Sequence, residues 1–402
     1  MVNSLWYSRA INMKRLYLLH TFSVIALFLY SFTQVDLGLA LTRFPWLFNI
    51  QRAFQTIGYF NRPLSAALYI FIISLLLISY FLVLSAIKKN IISSKTTWML
   101  IIYTTVILAF SYNAFSHDLF NYIFDAKILT FYGKNPYFYK ALDFPGDPML
   151  SFMHWTHRTY PYGPVWLGIT IPFSFLGQNV FIITFFLFKI LISVSYLGSV
   201  YFIEKIMQKI NPKYALFSAV FFAFNPLVLV EVLVSAHLDI FMILLALVSM
   251  YLVIQNKYLL ALFFLILSIG TKYATIFLLP AFLAIVVLQY MKKRIPWSLI
   301  NASAVLCLSI SVIAASRQSG NFQPWYILVL MPFLALLSKG QLLLMVSYVI
   351  SLGGLLTYLP YLYFGNWDAP VPQILNKLYI SCGVFIGLIW LYGYLRNLIN
   401  KK

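Results

Sequence analysis

Long apolar runs, separated by short polar loops, recur along nearly the whole chain. A helix needs about 20 predominantly apolar residues to cross a hydrocarbon core of about 30 Å. The pattern therefore predicts an all-α polytopic membrane protein with about twelve transmembrane helices. The predicted spans are 16–35, 64–87, 97–115, 180–203, 214–232, 239–255, 258–270, 273–290, 297–315, 325–337, 341–359 and 374–395. We expect the first span to be retained as a helix rather than removed as a signal peptide.

The segment 164–177 is treated separately, because it is short and interrupted by Pro172. If it does not cross the membrane and the N-terminus is cytoplasmic, the Lys- and Arg-rich loops lie inside. If it does cross, every basic loop after residue 180 lies outside. The positive-inside rule therefore favours a re-entrant or interfacial segment, with both termini in the cytoplasm. The loops 36–62 and 116–163, the turn 235–238 and the loops near Lys272 and Arg317 then face the outside.

Composition agrees with this class, since 62% of the 402 residues are hydrophobic and 9% are charged. The net charge of +19 does not indicate a nucleic-acid partner, because most Lys and Arg residues lie in short loops between apolar runs. Cys307 and Cys382 fall within predicted spans, so no disulfide framework is expected. We predict one integral-membrane domain over 1–402. It comprises two N-terminal spans with an amphipathic loop (1–96), a core with the exported loop 116–163 (97–340), and C-terminal spans (341–402).

The loop 116–163 concentrates the polar chemistry of the chain. It holds four of only nine carboxylates and three of five histidines: Asp118, Asp125, Asp143, Asp147, His117, His154 and His157. Ser116 is a good N-cap residue for a helix that ends before Gly133. Seven residues at helical rise place Asp118 and Asp125 on one face, about 10 Å apart, too far for a tight dyad. The opposite face is apolar and suited to lying on the bilayer surface, while Asp143 and Asp147 are expected to form turns.

The same loop carries cations on the side where the topology rule disfavours them, namely Lys127, Lys134, Lys140 and Arg158. An anionic lipid phosphate is the simplest partner for them. The loop is also rich in aromatic residues, which form interface belts and also stack on sugars. A carboxylate base can take the proton of an acceptor hydroxyl, and cations can hold a departing phosphate. These features suit glycosyl transfer from a lipid-phosphate sugar.

Ordered motifs support that hypothesis. The loop contains Ser116-His117-Asp118-Leu119, Gly133-Lys134-Asn135-Pro136-Tyr137 and Tyr160-Pro161-Tyr162-Gly163-Pro164. Further along come Phe224-Asn225-Pro226-Leu227, Glu231, His237-Leu238-Asp239, Thr271-Lys272, Gln323-Pro324-Trp325-Tyr326 and Met331-Pro332. Over about residues 110–335 this order resembles the integral-membrane GT-C glycosyltransferases. It is most similar to the polyprenol-phosphate-mannose-dependent mannosyltransferases of glycosyltransferase family 87.

The resemblance implies a GT-C-like fold whose large exported loop carries interfacial helices and the catalytic Asp. That residue maps onto Asp118, with Asp125 as a second carboxylate. The expected donor-phosphate ligands are Lys272, Lys127, His157, Arg158 and Arg317. The expected substrate-binding residues are Tyr122, Asn135, Tyr137, Tyr162, His237, Asp239 and Trp325. No cofactor is expected, because a metal site built from His237, Asp239 and a loop Asp lacks diagnostic spacing.

Each of these residues also has a purely structural interpretation. Asp118 and Asp239 are suited to helix N-termini, where the dipole favours a carboxylate. Lys272 lies between two spans with almost no loop, so it is expected to be recessed, and a phosphate would supply its partner. Snorkelling is the alternative for Lys272. Lys189 lies within a span and could pair with Glu204 or with a neighbouring group, which the sequence does not decide.

The predicted activity is transfer of a hexose, most simply mannose, from a polyprenyl-phosphate donor to a lipid-linked or envelope acceptor outside the cell membrane. The expected partners are this donor, a lipid-linked or glycan acceptor and membrane lipids. A flippase or transporter of lipid-linked sugars is one alternative, although paired repeats with mid-membrane charges would be typical of it. An envelope polysaccharide polymerase or ligase is another.

Overall fold

The computed structural model describes residues 2–337 and 341–399, and within these ranges every regular element is helical. The α-helices are α1 Val2–Ser31, α2 Pro45–Gln55, α3 Arg62–Lys88, α4 Ser94–Ala109, α5 Asp118–Thr130, α6 Pro164–Leu176, α7 Phe181–Ile210, α8 Ala215–Ala223, α9 Pro226–Val228, α10 Asp239–Ile254, α11 Tyr258–Thr271, α12 Leu279–Tyr290, α13 Trp297–Gln318, α14 Met331–Leu336, α15 Gln341–Leu356, α16 Tyr358–Phe364 and α17 Val371–Ile399. A π-helix, Leu229–Val234, continues α9, and 3₁₀ segments Tyr273–Leu278 and Pro324–Val329 precede α12 and α14.

The prediction of a polytopic membrane protein is confirmed. In the described ranges, seven helical segments are long and apolar enough to span a membrane: Met13–Gln34, Arg62–Lys88, Phe181–Ile210, Tyr273–Tyr290, Trp297–Gln318, Leu342–Phe364 and Val371–Leu395. The pair Pro212–Ala223 and Pro226–Val234, bent by 49°, forms an eighth if it crosses as one span. The other four predicted spans coincide with apolar helices of 10–17 residues. The count of twelve crossings stays a prediction.

The segment 164–177 forms α6, a helix of 13 residues. At helical rise it is about 20 Å long, shorter than a hydrocarbon core of about 30 Å. Pro172 lies inside this helix and does not end it, so the expected interruption there is wrong. The length of α6 is compatible with the predicted re-entrant or interfacial position.

The bend between α8 and α9 follows from the Asn225-Pro226 dipeptide. The Asn225 side chain accepts hydrogen bonds from the backbone N–H groups of Leu227 and Val228, at 3.0 and 3.4 Å, and so caps a new helix. Its amide also donates to Ser351 Oγ at 2.8 Å, which ties the bend to α15. Because Pro226 has no N–H, α8 cannot continue through it. The predicted span 214–232 is therefore two helical pieces.

The bend lies in the most deeply buried part of the described chain. Every residue from 218 to 240 is buried. The carbonyls freed where α8 ends are satisfied by neighbouring helices: Tyr80 donates to Phe221 O at 2.8 Å and Tyr196 to Ala223 O at 2.6 Å. A buried helix end needs such partners. The core thus fixes the turn 235–238 that follows.

Helix α5 begins at Asp118, two residues after the predicted N-cap, and ends at Thr130. Ser116 Oγ accepts the Asp118 N–H at 3.2 Å, although the N-cap position itself is His117. The expectation that α5 lies on the bilayer surface is wrong, because Leu129 is its only exposed residue. The helix packs against α6 and α7, and the chain that follows it covers the remaining sides, with Phe152 on Phe120 and Phe144 on Phe124.

Candidate active site

Two helices begin at the candidate site, and each begins with a carboxylate. Asp118 is the first residue of α5 and Asp239 the first residue of α10, with 7% and 3% of their surfaces exposed. Helix N-termini carry partial positive charge and unsatisfied N–H groups, which stabilise nearby anions. The turn 235–238, held by the buried bend, directly precedes α10.

Asp118 lies among three polar side chains at distances slightly beyond ordinary hydrogen bonds. Arg158 Nη2 is 3.6 Å from its Oδ1, and His237 Nδ1 is 3.6 Å from its Oδ2. The Tyr122 hydroxyl donates weakly to Oδ2 at 3.5 Å. Distances of this kind leave the carboxylate able to accept a further hydrogen bond.

His237 is fully buried between two carboxylates. Its Nε2 is 3.3 Å from Glu231 Oε2, opposite the contact with Asp118, and its ring stacks on Trp325 with centroids 4.4 Å apart. Tyr358 donates to the other Glu231 oxygen at 2.8 Å. Burial opposes a charged imidazole, but the two carboxylates outweigh it and raise the pKa of His237 to about 9. The ring therefore carries a proton at neutral pH.

Lys272 forms the other ion pair of the site. Its Nζ donates to Asp239 Oδ1 at 2.8 Å and lies 5.8 Å from the Tyr326 ring centroid. The residue is extended between α11 and the 3₁₀ segment that follows, and its side chain is 24% exposed. Within the described residues its partner is Asp239, a pairing that the sequence did not indicate.

A close contact between two glycines brings the loop to this pair. The Gly163 N–H donates to Thr271 O at 3.1 Å, and a Cβ added at Gly163 would lie 2.0 Å from Gly270 O. Only glycine permits this approach. The contact seats Tyr162 against Tyr122, whose ring centroids are 5.3 Å apart. The Tyr-Gly-Pro motif thus has a packing role at the site.

Several buried polar atoms of this cluster have no hydrogen-bond partner among the described residues. They are Arg158 Nη2, Glu231 Oε2, His237 Nδ1, His237 Nε2 and Asp239 Oδ2. Buried polar atoms are normally hydrogen-bonded, and each unpaired one is costly. Their convergence indicates a place where substrate groups or water complete the hydrogen bonding.

The two loop carboxylates differ in their ionisation. Burial alone would raise the pKa of Asp118, but His237 and then Arg158 more than offset it, so its pKa lies below the ordinary value. Burial raises the pKa of Asp125 to about 7, although the Arg158 guanidinium acts in the opposite direction. Of these two carboxylates, Asp118 is therefore the one that stays ionised at neutral pH.

Some predicted residues lie elsewhere. Lys127 is nine residues after Asp118, half a turn away around α5, and pairs with Asp147 beside a separate cavity of about 350 Å³. His157 is exposed, and Arg317 is exposed at the end of α13. The structure thus does not bring these three cations to Asp118.

Asn135 and Tyr137 form the rim of the loop. The Asn135 side chain accepts the Tyr137 N–H at 3.0 Å, as in a turn. Tyr137 reaches the site only indirectly, because its hydroxyl donates to the Tyr162 carbonyl at 3.1 Å.

Of the two partners that the sequence left open for Lys189, Glu204 or a neighbour, the structure shows neighbouring groups rather than Glu204. Its ammonium donates to the carbonyls of Leu233 and Val234, the latter at 3.0 Å, and to Ser111 Oγ at 3.1 Å. Glu204 instead accepts the Trp98 indole N–H at 2.7 Å. A cation at the carbonyl end of a helix is favourable, and here it caps the π-helix before the site.

Sequence reasoning gave Glu231 no role at the site. The sequence signal for Glu231 was an ionisable side chain inside an apolar run, and such a residue is a functional candidate by default. The contact with His237, however, closes through the turn 235–238, and Tyr358 comes from 127 residues further along the chain. Neither contact is visible in a local pattern.

Comparison with protein families identifies one model that matches the chain. The model is the MptA_B family, described as alpha-(1->6)-mannopyranosyltransferase, N-terminal domain, and it matches residues 22–289. Comparisons with curated proteins and with solved structures give no match. The matched range includes Asp118, Arg158, His237, Asp239 and Lys272. The chain therefore belongs to the alpha-(1->6)-mannopyranosyltransferase family and is a mannosyltransferase of the GT-C type.

Proposed function

We propose that this protein transfers mannose from a polyprenyl-phosphate-linked donor to a lipid-linked or envelope acceptor on the extracytoplasmic face. The observation that carries the proposal is the convergence of Asp118, Arg158, His237 and the Lys272–Asp239 pair in one largely buried cluster, several of whose polar atoms have no hydrogen-bond partner among the described residues. These groups come from four separated parts of the chain. Together they supply the Asp118 carboxylate, the cations Arg158 and Lys272, and nitrogen atoms that have no hydrogen-bond partner in the described part of the chain.

The chemistry proposed is a direct displacement. The Asp118 carboxylate accepts the proton of an acceptor hydroxyl as that oxygen forms a bond to C1 of the mannose. The bond between C1 and the phosphate oxygen breaks, and the electron pair leaves with the polyprenyl phosphate. Because phosphate is a weak base, the leaving group needs stabilised charge rather than a proton. The lowered pKa of Asp118 keeps this carboxylate ionised before the acceptor arrives.

The cations that would hold the phosphate are Lys272 and Arg158. A Lys ammonium has three donors, and Asp239 uses one of Lys272's, so two remain for phosphate oxygens. Arg158 Nη2 is buried, lies 3.6 Å from Asp118 Oδ1 and makes no hydrogen bond among the described residues. The N-termini of α5 and α10 add partial positive charge at the same place. His237, protonated between two carboxylates, would keep Asp118 ionised and oriented.

The side of the membrane follows from charge. The positive-inside rule supports this side, because basic loops in the cytoplasm would put the loop 116–163 outside, where a polyprenyl-phosphate sugar would be used after translocation. Asp125 would position the acceptor or Arg158 rather than act as the base. None of the ion pairs among the described residues includes Asp125. Tyr122, Tyr162 and Trp325 would contact the sugars through their rings.

The test is transfer by the purified protein in proteoliposomes. Radiolabelled polyprenyl-phosphate mannose and a lipid-extract acceptor are supplied, with a nucleotide-linked mannose as the alternative donor. The proposal expects label in a new glycosidic bond from the lipid donor alone, with release of polyprenyl phosphate. Label that crosses the bilayer as intact donor would instead establish the flippase alternative, and transfer from the nucleotide sugar would overturn the donor assignment.

A further inference from the structure

A second polar cluster lies beside the first and has a different composition. Asp36, His117 and His154 each direct one ligand atom to a common point, and these atoms lie within 4.8 Å of one another. Asp36 follows α1, His117 immediately precedes α5, and His154 belongs to the loop 131–163. We propose that these three residues bind a divalent transition-metal ion of the Zn²⁺ type, which joins the three chain segments.

One contact already present is close to that of a ligand pair, since His117 Nε2 is 3.0 Å from Asp36 Oδ1. The ring of His154 lies against that of His117, with centroids 3.9 Å apart and an interplanar angle of 33°, so it has to turn to bring its nitrogen to the same metal. Imidazole nitrogen and carboxylate oxygen bind Zn²⁺ at about 2.0–2.2 Å, so tetrahedral ligands stand about 3.3 Å apart. The His117–Asp36 pair meets that spacing. His154 is exposed and needs to move by about 1–1.5 Å at most to meet it as well.

The surroundings support metal binding over a simple ion pair. A His–Asp pair requires one imidazole, whereas here two rings face one carboxylate. Tyr112 donates to the other oxygen of Asp36 at 2.6 Å, the kind of outer hydrogen bond that orients a ligating carboxylate. Two His and one carboxylate leave a fourth position for water.

The site is distinct from the proposed reaction centre. None of its ligands contacts donor or acceptor in the mechanism above, but His117 is the residue before Asp118. A metal at this point would fix the start of α5 relative to α1, so its role would be positioning. Metal binding does not depend on the proposed function, because it is measured on the protein without substrate.

The experiment is metal analysis of the full-length protein in detergent after dialysis against Zn²⁺ or Co²⁺. We expect one equivalent of tightly held metal per chain and visible Co²⁺ absorption typical of a four-coordinate site. Asp36→Asn and His154→Gln should each weaken affinity at least tenfold. The matched control is His157→Gln, an exposed histidine of the same loop whose ring lies 6.5 Å from Trp155; it should bind as the wild type does.

Two results would overturn the site. One is wild-type protein that retains no metal, and the other is equal affinity in His154→Gln and wild type. Because the His154 side chain is exposed, this variant should fold, and an unchanged unfolding temperature without metal checks that it does. The Tyr112→Phe variant refines the test, since loss of an outer hydrogen bond should weaken metal affinity by about 10–100-fold.

Discussion

Lys189 and the Asp118 cluster are both buried charge in a membrane protein, yet they differ in one respect. The Lys189 ammonium has three acceptors, two backbone carbonyls and the Ser111 hydroxyl. In the Asp118 cluster, Arg158 and His237 have nitrogen atoms without hydrogen-bond partners in the described structure. A buried charge whose hydrogen bonds are all made has a structural role. A group of buried charges that lack hydrogen-bond partners forms a site prepared for a ligand. Burial of a charge alone does not distinguish the two.

The two regions are nevertheless connected. Lys189 caps the π-helix Leu229–Val234, which carries Glu231 and leads into His237. Lys189, whose hydrogen bonds are complete, thus holds the backbone that carries His237, whose hydrogen bonds are incomplete within the described ranges. Rigid support for an incompletely paired cluster is what a preorganised site requires.

The largest effect should follow from Asp118→Asn. An amide cannot take the acceptor's proton, and a general base contributes about 10²–10⁴-fold to rate. We expect kcat to fall by that factor with little change in unfolding temperature. Asp125→Asn is the control for a carboxylate on the same helix and should cost much less. If Asp125→Asn proved the more damaging change, the assignment of the base would be reversed.

The next largest effect should follow from Lys272→Met. Loss of a fixed cation at a developing charge costs about 10²–10³-fold in kcat. The single variant also leaves Asp239 buried and unpaired, so it should lose stability as well. The double variant with Asp239→Asn separates these effects: stability should recover while transfer stays low. Recovery of transfer in the double variant would assign the pair a structural role like that of Lys189.

The pH profile of kcat/KM should reach a limit near pH 9. His237, whose pKa is raised to about 9, is charged at neutral pH and loses its proton as pH rises through that value. Its stabilising contribution is complete below its ordinary pKa of 6.5 and is lost above 9. Beyond pH 9 the rate should fall about tenfold per pH unit. A profile whose alkaline limb is the same in His237→Gln would contradict this account.

Lys189→Met should have the smallest effect on transfer. Removing the ammonium leaves the carbonyls of Leu233 and Val234 without that donor, at a cost of about 1–3 kcal/mol per buried group. We therefore expect a lower unfolding temperature and, per folded molecule, less than about a tenfold change in rate, below the range for a general base. An exposed lysine such as Lys134 serves as the control for loss of charge.

The apolar pattern predicted the membrane class and placed most helices, because burial in lipid imposes a local, periodic signal. It placed the start of α5 within two residues and placed Lys272 between two helical segments. It failed at two places. The apolar pattern presents 214–232 as one continuous span, although Asn225 and Pro226 bend it. It also does not show that α6 and α7 cover α5, which is a long-range contact.

The candidate site, like the fold, could be predicted only where local chemistry identifies a residue. Asp118, Asp239 and Lys272 were chosen from local chemistry, and the structure brings them into one cluster. The contact of His237 with Glu231 depends on the turn 235–238 between them, and the contact of Asp36 with His117 joins distant segments, so neither follows from a helical spacing in the sequence. Lys127 was chosen for its charge alone, and the helical period places it on the other side of α5.

The central claim is that incomplete pairing, rather than buried charge, locates the reaction. The most direct test measures mannosyl transfer per folded molecule for Asp118→Asn and Lys189→Met side by side in the same proteoliposomes. The account predicts that Asp118→Asn loses transfer by at least about 10²-fold while its fold is kept, and that Lys189→Met keeps transfer while its stability falls. Wild-type transfer by Asp118→Asn would contradict it.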